Sequence, residues 1–201
     1  IIKDFASGKV SLDIALKQLK VMLTNFDKPE IMKWVNCELE GYREEDMLPR
    51  YRVTSGNLVG NFIIFNKQYT NICIPLRNDA PEDLKEYCTK VELRDSVSGL
   101  DGIMKMESPF GMQINSINLP YVQSYTAFHI DALLNAIVEV SKPSIHGVMA
   151  HVENATLDVL LMLEKEFGNL DELDVDLSSK SDDEIQEIEN NIYRPFLTEK
   201  C

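Results

Sequence analysis

Few side chains in this sequence are of a type and spacing that could do chemistry. Glu44, Glu45 and Asp46 form a run of carboxylates, the raw material for a cation site or a general acid/base pair. Arg50, Tyr51 and Arg52 interleave guanidinium groups with an aromatic ring, a pairing that can meet phosphate and base. Each has a plainer reading. Adjacent carboxylates ordinarily make a solvated loop, because a cation needs further ligands from elsewhere. The Arg-Tyr-Arg run lies in a neutral segment, since residues 1–53 carry 9 basic and 9 acidic side chains. Of the three histidines, His129, His146 and His151, the last two are five apart on an expected helix. They therefore point roughly 140° apart and share no ligand-presenting face. Cys37, Cys73, Cys88 and Cys201 show neither C-x-x-C pairing nor Cys/His zinc spacing, and are expected as free, reduced thiols. There is no P-loop, and Gly56 and Gly60 do not make a dinucleotide fingerprint. The reading therefore leans away from an enzyme and assigns no catalytic residue, metal or cofactor.

The elements that would position these residues follow from hydrophobic spacing. Ser11 is a candidate N-cap for a helix whose Leu12, Leu16, Leu19, Leu23 and Phe26 step by four and three along one stripe. Asp27 and Pro29 open a second helix, from about Pro29 to Glu40, and Gly41 ends it. Ile31, Val35, Leu39 and Tyr42 give it a face to pack antiparallel on the first, with Trp34 as an anchor. Strand-prone segments follow at Tyr51–Val53, Leu58–Val59, 61–65 and 71–76, which predict a small, mainly antiparallel sheet. A brief helix is expected from Pro81 to Cys88, strands at Val91–Leu93 and Gln113–Leu119, and a short helix over Val97–Met106. Ala127–Val140 fits either helix or strand period imperfectly, and its last part, Ala136–Val140, alternates as a strand, which is the reading favoured there. Pro143 and Ser144 open a long helix, Ile145–Phe167, closed by Gly168. Its stripe of Ile145, Val148, Met149, Val152, Val159, Met162 and Leu163 is joined by a second of Leu157, Leu160 and Leu161, so it is expected to be buried on more than one side, in the domain centre or at a subunit contact. After a Ser- and Asp-rich connector, a last helix spans about 182–193 and ends at Pro195.

This reading gives an α+β fold of an N-terminal antiparallel helix pair, a small sheet and a long buried C-terminal helix. Residues 1–168 form one domain, and residues 169–201 an acidic connector and short helix packed on or beside it. A chain of 201 residues can bury roughly 70% of the surface its unfolded form exposes, so neither disulfide nor metal is required. Ile1 in place of Met, with no basic start or long apolar run after it, reads as a trimmed end. No apolar run nears the ~20 residues of a membrane-spanning helix, which gives a cytoplasmic expectation with no membrane partner. The net charge of −13 is concentrated late: residues 143–201 carry 14 acidic and 4 basic side chains. That third repels phosphates, so nucleic acid is an unlikely partner for it.

The stretch Trp34-Val35-Asn36-Cys37-Glu38-Leu39-Glu40-Gly41-Tyr42, followed by Leu48-Pro49-Arg50-Tyr51-Arg52, resembles the N-terminal signature of the abortive-infection AbiTii family. Ser11-Leu12 and Ala15-Leu16 in the preceding helix are similar to it too. Val140-Ser141-Lys142-Pro143, leading to His151-Val152-Glu153-Asn154 and Leu157–Glu164, looks like the family's late strand and long helix. The chain departs from the family pattern at Glu153 or Asn154, where Arg is usual. The resemblance spans most of residues 10–167 and implies bacterial antiphage defence, in which an infected cell arrests before progeny emerge. It brings no catalytic residue set with it. Within the signature, Trp34, Leu39, Gly41 and Pro49 read as structural anchors, while Glu38, Tyr42, Arg50 and Arg52 read as an interaction surface or an ion-pair latch. The expected role is a noncatalytic sensor or oligomerisation module. Its partner would be itself, a partner defence protein or a phage component. The alternative is a toxin-like enzyme acting on nucleic acid or nucleotide.

Overall fold

The computed structural model describes residues 1–26, 29–168, 170–173 and 175–197. Helices α1 (Ile2–Ala6), α2 (Leu12–Met22) and α3 (Pro29–Glu40) come first, then strands β1 (Val53–Ser55), β2 (Asn57–Ile64) and β3 (Lys67–Cys73). Helix α4 (Glu82–Tyr87), strand β4 (Lys90–Glu92), helix α5 (Val97–Lys105), strand β5 (Phe110–Gln113) and helix α6 (Leu119–Ser124) alternate through the middle. Strand β6 (Ala132–Val140) and helices α7 (Lys142–Phe167) and α8 (Asp182–Leu197) complete the α+β fold. Contacts divide the chain into two compact units. One is Ile1–Arg52, Arg94–Met104 and His146–Cys201; the other is Val53–Leu93 and Lys105–Ile145.

The first unit is helical. The predicted stripe of α2 buries Leu16 and Leu19 against Ile31, Trp34 and Val35 of α3, and Val152, Val159, Leu160 and Leu163 of α7 join the same core. Ile188 and Ile192 of α8 are buried in it as well. A capping box starts α8: the Ser181 N–H and hydroxyl both donate to Glu184 Oε2 at 2.8 Å. Gly41 and Gly168 follow α3 and α7 with φ of +94° and +80°, the left-handed conformation that lets a helix stop there at low cost.

The second unit holds a four-stranded antiparallel sheet in the order β3-β2-β6-β5 and a separate antiparallel pair, β1 and β4. Leu58 faces Val138, Gly60 faces Ala136 and Phe62 faces Leu133 across β2 and β6, and all six are buried. That period-two register fixes which face of the sheet is interior. Phe65 and Asn66, both with positive φ, make the two-residue turn between β2 and β3.

Several boundaries differ from the sequence expectation. Tyr51 and Arg52 are not strand but part of a single 3-10 turn, Arg50–Arg52, which Pro49 enters. The third strand begins earlier than expected, at Lys67, and ends at Cys73. The strand expected over Gln113–Leu119 stops at Gln113, because Asn115 turns the chain: its side chain accepts the Ile117 N–H at 3.1 Å, and Pro120 then sits in the first turn of α6. Helix α1 was not expected at all. Helix α7 starts at Lys142, because Ser141 Oγ rather than a later group accepts the Ser144 N–H. Leu161, placed on its second apolar stripe, is 46% exposed. Helix α8 runs on to Leu197, since a proline in the last turn removes only one backbone bond. The expected cap at Asp27 and the thiol of Cys201 lie outside the described residues.

Candidate functional site

The most concentrated polar chemistry in the first unit gathers round one carboxylate. Glu38 lies on α3 four residues before Tyr42 and three after Val35, on the face that turns inward, and is 0% exposed. Its Oε1 accepts hydrogen bonds from the Tyr42 hydroxyl at 2.7 Å and the Tyr51 hydroxyl at 2.6 Å. Its Oε2 is paired with Arg52 Nη2, and Arg52 is likewise 0% exposed. Arg52 Nη1 donates to the Asp95 carbonyl at 2.6 Å, and its guanidinium lies 5.2 Å from the centre of the Tyr42 ring. Trp34 Nε1 donates to the Tyr51 hydroxyl at 2.8 Å, and the Tyr51 ring stacks on His151 at 4.2 Å. A buried charge is tolerated only when paired and hydrogen-bonded, and this one has three donors.

The environment shifts its members in consistent directions. Burial, then the Glu38 carboxylate, pushes the Tyr42 and Tyr51 hydroxyls far above the ordinary phenol range, so both stay protonated donors. Burial alone would lower Arg52, but the Glu38 carboxylate outweighs it and holds the guanidinium above its usual value. The cluster is an ion pair with neutral donors.

This arrangement determines what the intervening residues can do. Tyr42 stands at one end of the segment 43–50, and Tyr51 and Arg52 stand at the other, so a single carboxylate clasps both ends of a loop. The loop has its own pins. Asp46 Oδ2 accepts the Arg43 N–H at 3.0 Å, Asp46 Oδ1 pairs with Lys33 at 2.9 Å, and Arg94 Nη1 donates to the Arg43 carbonyl. The Lys33 hydrogen bond, helped by the Arg43 N–H, holds the Asp46 carboxyl below its usual range. Between the pins Glu44, Glu45, Met47 and Arg50 are exposed, Met47 at 78%.

Of the residues expected to form an interaction surface, Glu38, Tyr42 and Arg52 are brought together but lie inside the protein. Glu38 and Arg52 are 0% exposed and Tyr42 is 8% exposed, so the three face one another rather than a surface rim, with Glu38 and Arg52 joined as an ion pair. Arg50 is exposed and belongs to the loop. Among the anchors Trp34 is buried and joins the network, Leu39 and Pro49 are half-buried, and Gly41 approaches the Arg94 carbonyl so closely that a Cβ there would stand 3.0 Å from it. Glu44 and Glu45 remain solvated, while Asp46 is a structural pin. Sequence reasoning did not assign Tyr51, Asp46 or His151 to one constellation. The signal for it was present in Glu38 itself, a charged residue on an apolar stripe, which requires an internal partner.

Among the described residues Cys37, Cys73 and Cys88 are free thiols, and burial pushes Cys88 up to about 11, away from reactive thiolate character. No group of His, Cys, Asp and Glu among them is placed to hold a metal ion. No helix among them is long and apolar enough to cross a membrane.

The fold is mixed α+β, with helices, two small antiparallel sheets and a long late helix, and its buried Glu38 cluster joins the two ends of one exposed loop. The family model described as AbiTii matches residues 1–189, and the chain belongs to the AbiTii family. That membership points to abortive-infection antiphage defence. Comparison with curated proteins and with solved structures gives no match.

Proposed function

We propose that this protein acts in the cytoplasm as a noncatalytic recognition module of abortive infection, and that the loop 43–50 is its contact with another protein. The observation carrying this reading is the latch: Glu38, Tyr42, Tyr51 and Arg52 satisfy one another inside the protein and fix both ends of an exposed loop. Binding loops work best when held in their bound shape, because less conformational entropy is lost on association. Met47 and Arg50 are the types of side chain that contribute to protein contacts, one adaptable and apolar, the other a planar hydrogen-bonding cation. The partner is a phage component, a partner defence protein or a second copy of this chain.

The test is phage plaquing on bacteria expressing the gene, beside Met47→Ala and Arg50→Ala variants of equal abundance and melting temperature. Protection by the parent that falls in both variants supports recognition through the loop. Undiminished protection by both removes the loop from the mechanism. Concentration-dependent mass, lost in the same variants, would identify the partner as a second copy. The toxin-like enzyme reading makes the opposite demand: substitutions outside the loop that abolish growth arrest without loss of folding.

A further inference from the structure

The second unit contains a cleft of 540 Å³ lined by Arg77, Pro120, Ser124, Phe128, His129 and Ile130, among others. Clefts of this size take small ligands, and they do so best when preformed. The walls here are fixed by hydrogen bonds. Leu76 and Thr126 form an antiparallel bridge, flanked by the Arg77 N–H donating to the Tyr125 carbonyl and the Ala127 N–H donating to the Pro75 carbonyl, both at 2.8 Å. Thr126 Oγ1 lies 2.9 Å from the Gln123 carbonyl and 2.8 Å from that of Phe128. Gln123 Nε2 donates to the Ile130 carbonyl at 2.9 Å while its Oε1 accepts the Leu133 N–H at 2.9 Å. The loop 126–131 is therefore held from two sides.

What the cleft offers is uneven. Arg77 uses its Nε and Nη2 on Asp79, at 3.0 and 3.3 Å, and its guanidinium lies 5.4 Å from the centre of the Tyr125 ring. One edge of the fork is thereby occupied and the plane is oriented. The other edge, Nη1 with the second Nη2 hydrogen, has no acceptor among the described residues, and that edge matches an oxyanion. Phe128, Pro120 and Ile130 supply an apolar wall, with the Phe128 ring braced on Phe62 at 5.5 Å. His129 is fixed through Nε2 to Asp131 at 2.8 Å, which leaves its Nδ1 edge for a polar group of a ligand.

We propose that this cleft binds a small ligand joining an oxyanion to a flat ring, the chemistry of a free nucleoside monophosphate, with the oxyanion on Arg77 and the ring against Phe128. A polymer is disfavoured, because Arg77 is the single Lys or Arg among the cleft's described lining residues, whereas a polyanion is held by several cations. The inference is independent of the loop reading above, since it concerns other residues and is tested by binding rather than by plaquing.

The experiment is a titration of the purified full-length chain, followed by backbone amide NMR shifts. Its ligands are AMP, GMP, CMP and UMP in turn, and in parallel inorganic phosphate, adenosine and a short single-stranded oligonucleotide. Saturable shifts at Arg77, Phe128 and His129 are expected for at least one monophosphate, binding more tightly than phosphate or adenosine alone. Arg77→Gln should weaken that binding about 10- to 100-fold, the usual loss for a hydrogen bond to a charged group, with Arg77→Lys falling between. Phe128→Leu, which keeps apolar volume, should weaken the monophosphate but not phosphate. The proposal is overturned by the absence of saturable shifts with all four nucleotides, by unchanged binding in a folded Arg77→Gln protein, or by phosphate binding as tightly as the nucleotide. Preference for the oligonucleotide over every monophosphate would overturn the small-molecule assignment.

Discussion

Arg52 and Arg77 each meet a carboxylate, in different units of the chain, and the two pairs have opposite uses. Arg52 and Glu38 are both 0% exposed, and the surrounding tyrosines hydrogen-bond the carboxylate while the Asp95 carbonyl accepts from Nη1. In the Arg77 and Asp79 pair the side chains are 46% and 71% exposed, and one edge of the guanidinium stays open. A desolvated pair costs a great deal to break, because removing one partner strands a charge in low dielectric. A solvated pair contributes little, because water and salt screen it in both folded and unfolded chains. The same two chemical groups are thus sealed into the fold in one region and left facing solvent in the other.

The largest expected effect would break the comparison at its buried end. Glu38→Ala should destabilise the protein by about 3–5 kcal/mol, and Arg52→Ala by a similar amount. Urea unfolding measures both, and a loss under about 1 kcal/mol for either would mean that the latch does not hold the fold. Next in size is a change in the second unit that touches no charge. A Cβ at Gly60 would stand 2.5 Å from the Asn135 carbonyl oxygen and 2.8 Å from Ile74 Cδ1, so Gly60→Ala should cost about 1–3 kcal/mol through strand displacement. A midpoint equal to the parent's would show that β2 and β6 can separate at no cost.

A third expectation sharpens the contrast by pH. The hydroxyls of Tyr42 and Tyr51 are raised in the folded protein, so the folded state keeps protons that the unfolded chain releases above about pH 10. The stability they confer is complete below that pH and declines as pH rises towards the folded values, by about 1.4 kcal/mol per pH unit for each tyrosine. Urea midpoints from pH 8 to 11 should therefore fall steeply at the alkaline end, and Tyr42→Phe should flatten the fall. Equal slopes in parent and variant would detach Tyr42 from the latch. The smallest effect is at the exposed pair: Arg77→Gln should change stability by less than about 1 kcal/mol. A larger loss would erase the distinction between the two arginines.

Much of the fold was legible because it rests on local signals. The bounds of α3 followed from Pro29 at its start and Gly41 at its end, and the core face of α2 followed from the spacing of Leu12, Leu16 and Leu19. Gln113–Leu119 was misread because its β-prone composition conceals an Asn turn and a helix-opening Pro120. The latch was half legible: Glu38 on an apolar stripe announces a partner, yet which cation meets it depends on how a loop of eight residues returns the chain. The cleft was not legible at all. Arg77 and Phe128 are 51 positions apart, and the Leu76–Thr126 bridge with its flanking backbone hydrogen bonds brings their segments side by side.

The clasp round Glu38 also bears on how this protein can change over generations. Replacing either member of the Glu38–Arg52 pair singly strands the other, so drift at one is gated by the other. The residues between the pins face no such gate, and lengthening a loop closed at a rigid base costs only tenths of a kcal/mol per few residues. The exposed positions Glu44, Glu45 and Met47 can thus vary while Asp46 and the base stay fixed, as the variable loops of an antibody do on their framework. Change at the tip therefore need not come at the expense of the frame.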